Sequence, residues 1–166
     1  TGGDGGAIYF ISGISLDIYD SSFLTNGANQ RGGALWLTAD GSTMKITNTV
    51  FCGNTTRLDA GACYVDAGDL QLLSCVITNN SSSRDAGAFL LTGVSGVYVV
   101  SNCWFANNTL TNSGGDGGAI WFNNGTTLDI YDSTFITNSS GAYGGALYLS
   151  IADSTVIISN SVFSAN

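Results

Sequence analysis

The chain has 166 residues, a length for one compact domain, and 44% of them are hydrophobic, so an ordered core is within reach. Its formal net charge of −8 rests on twelve aspartates against only Lys45, Arg31, Arg57 and Arg84. That balance excludes nucleic acid, whose phosphates need Lys and Arg, and disfavours anionic membrane surfaces. With no histidine present, Ser-His and Cys-His nucleophilic arrangements and the commonest metal ligand are also out of reach. No run of about 18 apolar residues exists to span a bilayer, so no membrane insertion is expected of this segment. Abundant Gly (23 residues), Asn, Asp, Ser and Thr with no proline predict turns and strands and almost no helix.

Taken in chain order, the predicted elements repeat. Gly5-Gly6-Ala7-Ile8 opens the first unit, Leu16-Asp17-Ile18-Tyr19 follows as a strand, and Phe23 to Asn26 closes it. The second unit runs Gly32-Gly33-Ala34-Leu35, Met44-Lys45-Ile46-Thr47, Phe51 to Asn54. The third is Ala60-Gly61-Ala62-Cys63, Leu70-Gln71-Leu72-Leu73, Ile77 to Asn80. The fourth is Ala86-Gly87-Ala88-Phe89, Tyr98-Val99-Val100-Ser101, Phe105 to Asn108. Gly117-Gly118-Ala119-Ile120, Leu128-Asp129-Ile130-Tyr131 and Phe135 to Asn138 make the fifth. Gly144-Gly145-Ala146-Leu147, Val156-Ile157-Ile158-Ser159 and Phe163 to Asn166 make the sixth.

The closing apolar residues are spaced 28, 26, 28, 30 and 28 apart. Two independent series of six predict an all-β, right-handed parallel β-helix: one domain over residues 1–166, of about six coils of roughly 28 residues. Each coil is expected to hold a Gly-Gly-Ala strand, a middle strand with its first and third residues inward, and a Phe-x-x-Asn corner. No coil buries its apolar face alone; stacking at about 4.8 Å closes the core. Residues 1–54 match residues 113–166 at 30 of 54 positions, a duplication four coils (112 residues) long. The chain opens in mid-motif at Thr1, which predicts a piece of a longer repetitive protein. A leucine-rich repeat would need a leucine-asparagine consensus, absent here, and a propeller blade about 40–45 residues.

The paired Gly-Gly-Ala-(Ile/Leu) and Phe-x-x-Asn signatures resemble those of the chlamydial polymorphic outer membrane protein family, the repeats of its autotransporter passenger domains. The resemblance covers essentially the whole chain in six copies. It departs from the pattern at Ala60 and Ala86, which replace the first glycine, and at Ile77, which replaces the phenylalanine. It implies a β-helix displayed at the cell surface or outside the cell and used in adhesion.

In a solenoid, chemistry is read down columns. Tyr9, Trp36, Tyr64, Leu90, Trp121 and Tyr148 occupy one, and strand alternation points it away from the core. The five aromatics are candidates for contact with surface glycans or a cell-surface protein, set against the simpler reading of strand propensity. Asp4, Arg31, Asp59, Asp85, Asp116 and Tyr143 occupy a second. Arg31 stands between Asp4 and Asp59 as a charge ladder. Asp59, Asp85 and Asp116 are stacked carboxylates that would repel unless splayed, held by Ca²⁺, or neutralised by Arg57 and Arg84; otherwise no cofactor is implied.

Sequons begin at Asn54, Asn79, Asn80, Asn107, Asn124 and Asn138; Asn124, in a predicted turn, is the best glycosylation acceptor in a eukaryotic source. The Phe-x-x-Asn asparagines should instead stack and bond to one another and to backbone. Cys75 and Cys103 hold one position in successive coils, which puts their Cα atoms about 4.8 Å apart, within the disulfide range of roughly 4.4–6.8 Å. Cys52 and Cys63 are a second possible pair, and buried free thiols are the alternative. An even cysteine count suits an oxidising compartment.

The composition and the columns favour a non-enzymatic extracellular fibre, spacer or adhesin segment, joined end to end with further copies or continued by repeats. The enzymatic rival is a carbohydrate-active β-helix, for which Asp59, Asp85 and Asp116 are the only candidate cluster, since Asp20 and Asp132 lie four coils apart. No catalytic acid or base is identified. An ice-binding solenoid would need ranked threonines, and Thr25, Thr38, Thr47 and Thr78 fall in different columns.

Overall fold

The structure, a computed structural model, describes residues 3–166. Among them there is no helix, and every pairing between strands is parallel, from one coil to the next. The chain is a parallel β-solenoid of six coils. Sheet A collects the strands after the Gly-Gly-Ala signature: Ile8–Phe10, Leu35–Leu37, Cys63–Val65, Phe89–Leu91, Ile120–Phe122 and Leu147–Leu149. Sheet B collects the middle strands, from Ser15–Tyr19 to Thr155–Ser159. Sheet C holds Ser22–Leu24, Val50–Cys52, Val76–Thr78, Trp104–Ala106, Thr134–Ile136 and Val162–Ser164. A narrow sheet D is built of two-residue strands, Gly27–Ala28, Thr55–Thr56, Ser81–Ser82 and Thr109–Leu110.

The expected Phe-x-x-Asn corner therefore resolves into two parts. The phenylalanine sits in mid-strand in sheet C, and only the asparagine turns the corner into sheet D. Period-2 reading missed sheets C and D because strands of two and three residues show too few alternations.

Corners are made by left-handed backbone, three per coil. The first residue of each Gly-Gly-Ala signature has φ between 54° and 73°, alanines included. Asp20, Asn48, Ser74, Asn102, Asp132 and Asn160, between sheets B and C, have φ of 47–53°. Thr25, Gly53, Asn79, Asn107, Thr137 and Ala165, before the corner asparagines, have φ of 50–67°. Gly, Asn and Asp are common in these columns because glycine lacks a Cβ and the short Asn and Asp side chains tolerate that region.

Inside, Phe23, Phe51, Ile77, Phe105 and Phe135 form one buried column, with stacked rings at 4.9 Å (Phe23–Phe51) and 4.6 Å (Phe105–Phe135). Phe163 continues the stack at 4.7 Å but is 41% exposed on the last coil. Coil three is under-filled, with Cys63 and Ile77 facing inward. Phe89 from coil four compensates, meeting Phe51 edge-on at 5.7 Å and Phe105 at 6.0 Å. Close-packed interiors require such volume balance between layers.

Beside this core runs an asparagine ladder through Asn26, Asn54, Asn80, Asn108, Asn138 and Asn166. Each Nδ2 donates to the Oδ1 of the next rung at 2.9 Å. From Asn54 onward each Nδ2 also donates to the carbonyl of the preceding coil's sheet C residue. The four middle amides are fully buried and fully paired, as buried polar groups must be.

Candidate functional site

The aromatic column lies on the outer side of sheet A, as its parity requires, but its middle is covered. Trp36 (9% exposed), Tyr64 and Leu90 are buried against Ala60 and Ala86, the signature residues of coils three and four, in a cluster separate from the main core. The left-handed backbone at Ala60 and Ala86 folds the incoming chain across the stripe. Arg31 completes the cover, its guanidinium 5.4 Å from the Trp36 ring centroid and 5.2 Å from that of Tyr64. Burial raises the Tyr64 hydroxyl's pKa. The expected open contact stripe is thus corrected: Trp36 and Tyr64 serve a satellite core. Tyr9 is exposed, stacked on Trp36 at 4.4 Å, and Trp121 and Tyr148 are half-buried, 5.6 Å apart. The Trp121 indole donates to Ser150 Oγ at 2.7 Å, whereas the Trp36 indole N–H is buried without a partner.

The charged column is rearranged as well. Arg31 and Asp59 are bridged through their backbones, while the Arg31 side chain turns to the aromatic rings. Asp59 is buried and gripped by Arg84, whose Nε donates to Oδ1 at 2.6 Å and whose Nη2 meets Oδ2. The same Nε lies 3.4 Å from Asp85 Oδ2. Asp116 accepts the Tyr143 N–H at 3.1 Å. Burial, then the Asp59 charge, raises the Asp85 carboxyl above its ordinary range, with Arg84 pulling the other way. The three carboxylates do not converge: among the described residues no group of three or more Asp, Glu, His or Cys side chains could hold a metal ion. That corrects the Ca²⁺ expectation at Asp59, Asp85 and Asp116, because Arg84 already pairs with both Asp59 and Asp85.

All four cysteines are free thiols, which corrects the expected Cys75–Cys103 bridge and leaves the possible Cys52–Cys63 pair unformed. The reason is the column they occupy. Ser21, Thr49, Cys75, Cys103, Ser133 and Ser161 each donate to the carbonyl two residues earlier, for instance Cys75 Sγ to Leu73 O at 3.2 Å and Ser133 Oγ to Tyr131 O at 2.7 Å. Most also accept a backbone N–H from the coil before, as Cys103 Sγ does from Cys75 N at 3.4 Å and Ser133 Oγ from Cys103 N at 3.1 Å. The thiols stand in for hydroxyls in a corner ladder. Contact with Cys75, then burial, raises the Cys103 thiol, and burial raises Cys63, so both stay protonated at neutral pH.

Asn54, Asn80 and Asn138 are locked in the asparagine ladder. Asn124 is exposed in the loop between sheets A and B, its Oδ1 accepting the Gly125 N–H at 3.0 Å. Exposed aromatics outside the sheet A column include Tyr19 and Trp104. Trp104, on the outer face of sheet C, is 45% exposed. It stands alone in its column (Ser22, Val50, Val76, Trp104, Thr134, Val162), so no repeat drew attention to it. Its place one residue before the buried Phe105 was the available signal.

Fold and columns together define a parallel β-solenoid whose repeated polar side chains hold coil to coil. No family model and no solved structure matches the chain. Among curated proteins it is similar to two. It is 29% identical over 182 aligned residues, 96% of this chain and 10% of the relative, to "Probable outer membrane protein pmp20" of Chlamydia pneumoniae. It is 35% identical over 98 residues, 54% of this chain and 8% of the relative, to "Probable autotransporter YfaL" of Escherichia coli (strain K12). The chain spans about a tenth or less of the length of either. One relative is a chlamydial outer membrane protein, in line with the family resemblance, and the likeness places the chain at the cell surface or outside the cell.

Proposed function

We propose that the chain is a non-enzymatic structural and adhesive segment of an extracellular β-solenoid. The observation that carries this reading is where the polar side chains go. Both buried polar columns, the asparagine ladder and the Ser/Thr/Cys ladder, bond one coil to the next. The acidic pair Asp59 and Asp85 is tied to Arg84 rather than held free as an acid–base pair for polysaccharide cleavage. Six coils supply about 29 Å of stiff length. The last coil exposes the inward-column residues Ile158 and Phe163, a face suited to further repeats or another copy end to end. On sheet A, the contact role with glycans or a cell-surface protein falls to Tyr9, Trp121 and Tyr148.

Electron microscopy of native material should show rods or filaments. Incubation with polysaccharides should release no new reducing ends or unsaturated products. Turnover that disappears in Asp59→Asn would overturn the reading and restore the enzymatic one.

A further inference from the structure

We propose that the outer face of sheet C is a binding surface for a neutral glycan chain, with Trp104 as its stacking platform; this rests on the adhesive role above and moves its centre to a different face. None of the eighteen residues in the six sheet C strands is charged, in a chain of net charge −8. Trp104 projects from the middle of this face, in register with Val76, itself 40% exposed. Both belong to interior coils, so their exposure does not depend on the terminal coils.

The borders of the face supply the polar half of the site. In coil four, Asn102 and Asn107 are exposed at the two left-handed corners on either side of the Trp104 strand. Asn102 Nδ2 donates to Ser74 Oγ at 3.1 Å and Asn107 Oδ1 accepts from Thr137 Oγ1 at 2.5 Å. Each amide is thereby oriented, with the Asn102 carbonyl oxygen and the Asn107 N–H groups left for a ligand. Sugar hydroxyls both donate and accept, which a paired amide frame matches, and the apolar face of a pyranose ring packs on an indole. An acidic glycan would find no cation on this face. A second copy of the chain is a poor occupant by size. Strands of three residues across six coils make a patch of roughly 300 Å², against about 800 Å² per partner in a stable complex.

The test is calorimetric titration of the 166-residue chain with cellohexaose, chitohexaose, maltohexaose and, as the acidic comparator, hexagalacturonate. At least one neutral hexaose should bind and hexagalacturonate should not. Trp104→Ala should weaken binding at least tenfold, Trp104→Phe by threefold or less, and Asn102→Ala or Asn107→Ala by a few-fold, all with unchanged circular dichroism. Gln71→Ala, on the outer face of sheet B, should leave binding unaltered. The proposal is overturned if no neutral hexaose binds. It is equally overturned if Trp121→Ala abolishes binding and Trp104→Ala does not, which would keep adhesion on sheet A. Concentration-dependent self-association lost in Trp104→Ala, without sugar binding, would overturn it in favour of a second copy. Failure of the spacer reading is separate, since native material would then show no rods or filaments.

Discussion

At the residue scale, the two glycines of the signature do different work. The first adopts a left-handed φ, and coils three and four place alanine there at φ 61° and 54°. The second is sterically obligatory: a Cβ on Gly33, Gly61, Gly87 or Gly118 would collide with the carbonyl oxygen of the equivalent glycine one coil on. We therefore expect Gly61→Ala to destabilise by more than about 3 kcal/mol, as overpacking against immovable backbone does. Ala60→Gly should change stability by about 1 kcal/mol or less, strain relief offsetting the lost buried methyl; urea unfolding of both variants measures the contrast. Asp85 carries a pH prediction. Its folded-state pKa lies above its ordinary value of 3.8, so the native state keeps a proton that the unfolded chain has released. That contribution is fully present below the unfolded pKa and is lost as pH rises through the folded one. Asp85→Asn should thus raise stability at pH 7 relative to the parent, with the gain shrinking towards pH 3. A gain that grows on acidification would contradict the assignment.

At the scale of the element, each corner is a ladder whose rung chemistry is set by hydrogen bonding rather than by residue name. Serine, threonine and cysteine interchange at the sheet B–C corner because a small side chain with one donor and one acceptor fits all six places. Denatured, unreduced protein should show four reactive thiols. The double variant Cys75→Ser, Cys103→Ser should unfold within about 1 kcal/mol of the parent. Two missing thiols would instead restore the bridge between coils three and four. Sheet A shows the same logic reversed. Its aromatic column was expected to face solvent, and it does face away from the main core, yet the residues preceding the next strands lie across it. Trp36→Ala is then a packing deletion before it is a contact deletion.

At the scale of the whole molecule, the coils form a one-dimensional stack in which each contacts only its neighbours. Coils three and four are covered on both sides, whereas coil six leaves Leu149, Ile158 and Phe163 exposed and coil one leaves Ile11 and Ile14 exposed. Amide hydrogen exchange of this chain should be slowest around Leu72 and Phe105 and fastest in coils one and six. Uniform protection across all six coils would mean the stack opens only as a unit.

Repetition alone was enough to specify the coil number, the parallel stack, the inward Phe/Ile column and the asparagine ladder. A residue repeated every 26–30 positions must meet its own copies in a solenoid, and amide-on-amide and ring-on-ring contacts then follow. What only the tertiary structure decided was everything depending on non-equivalent positions. The cover over Trp36 and Tyr64 comes from residues about 25 positions further on. The capture of Asp59 by Arg84 depends on where a single arginine points, and the thiols depend on a carbonyl competing for the same Sγ. Trp104 became visible for the same reason: exposure belongs to the assembled surface, and a residue occurring once in its column leaves no period in the sequence to betray it.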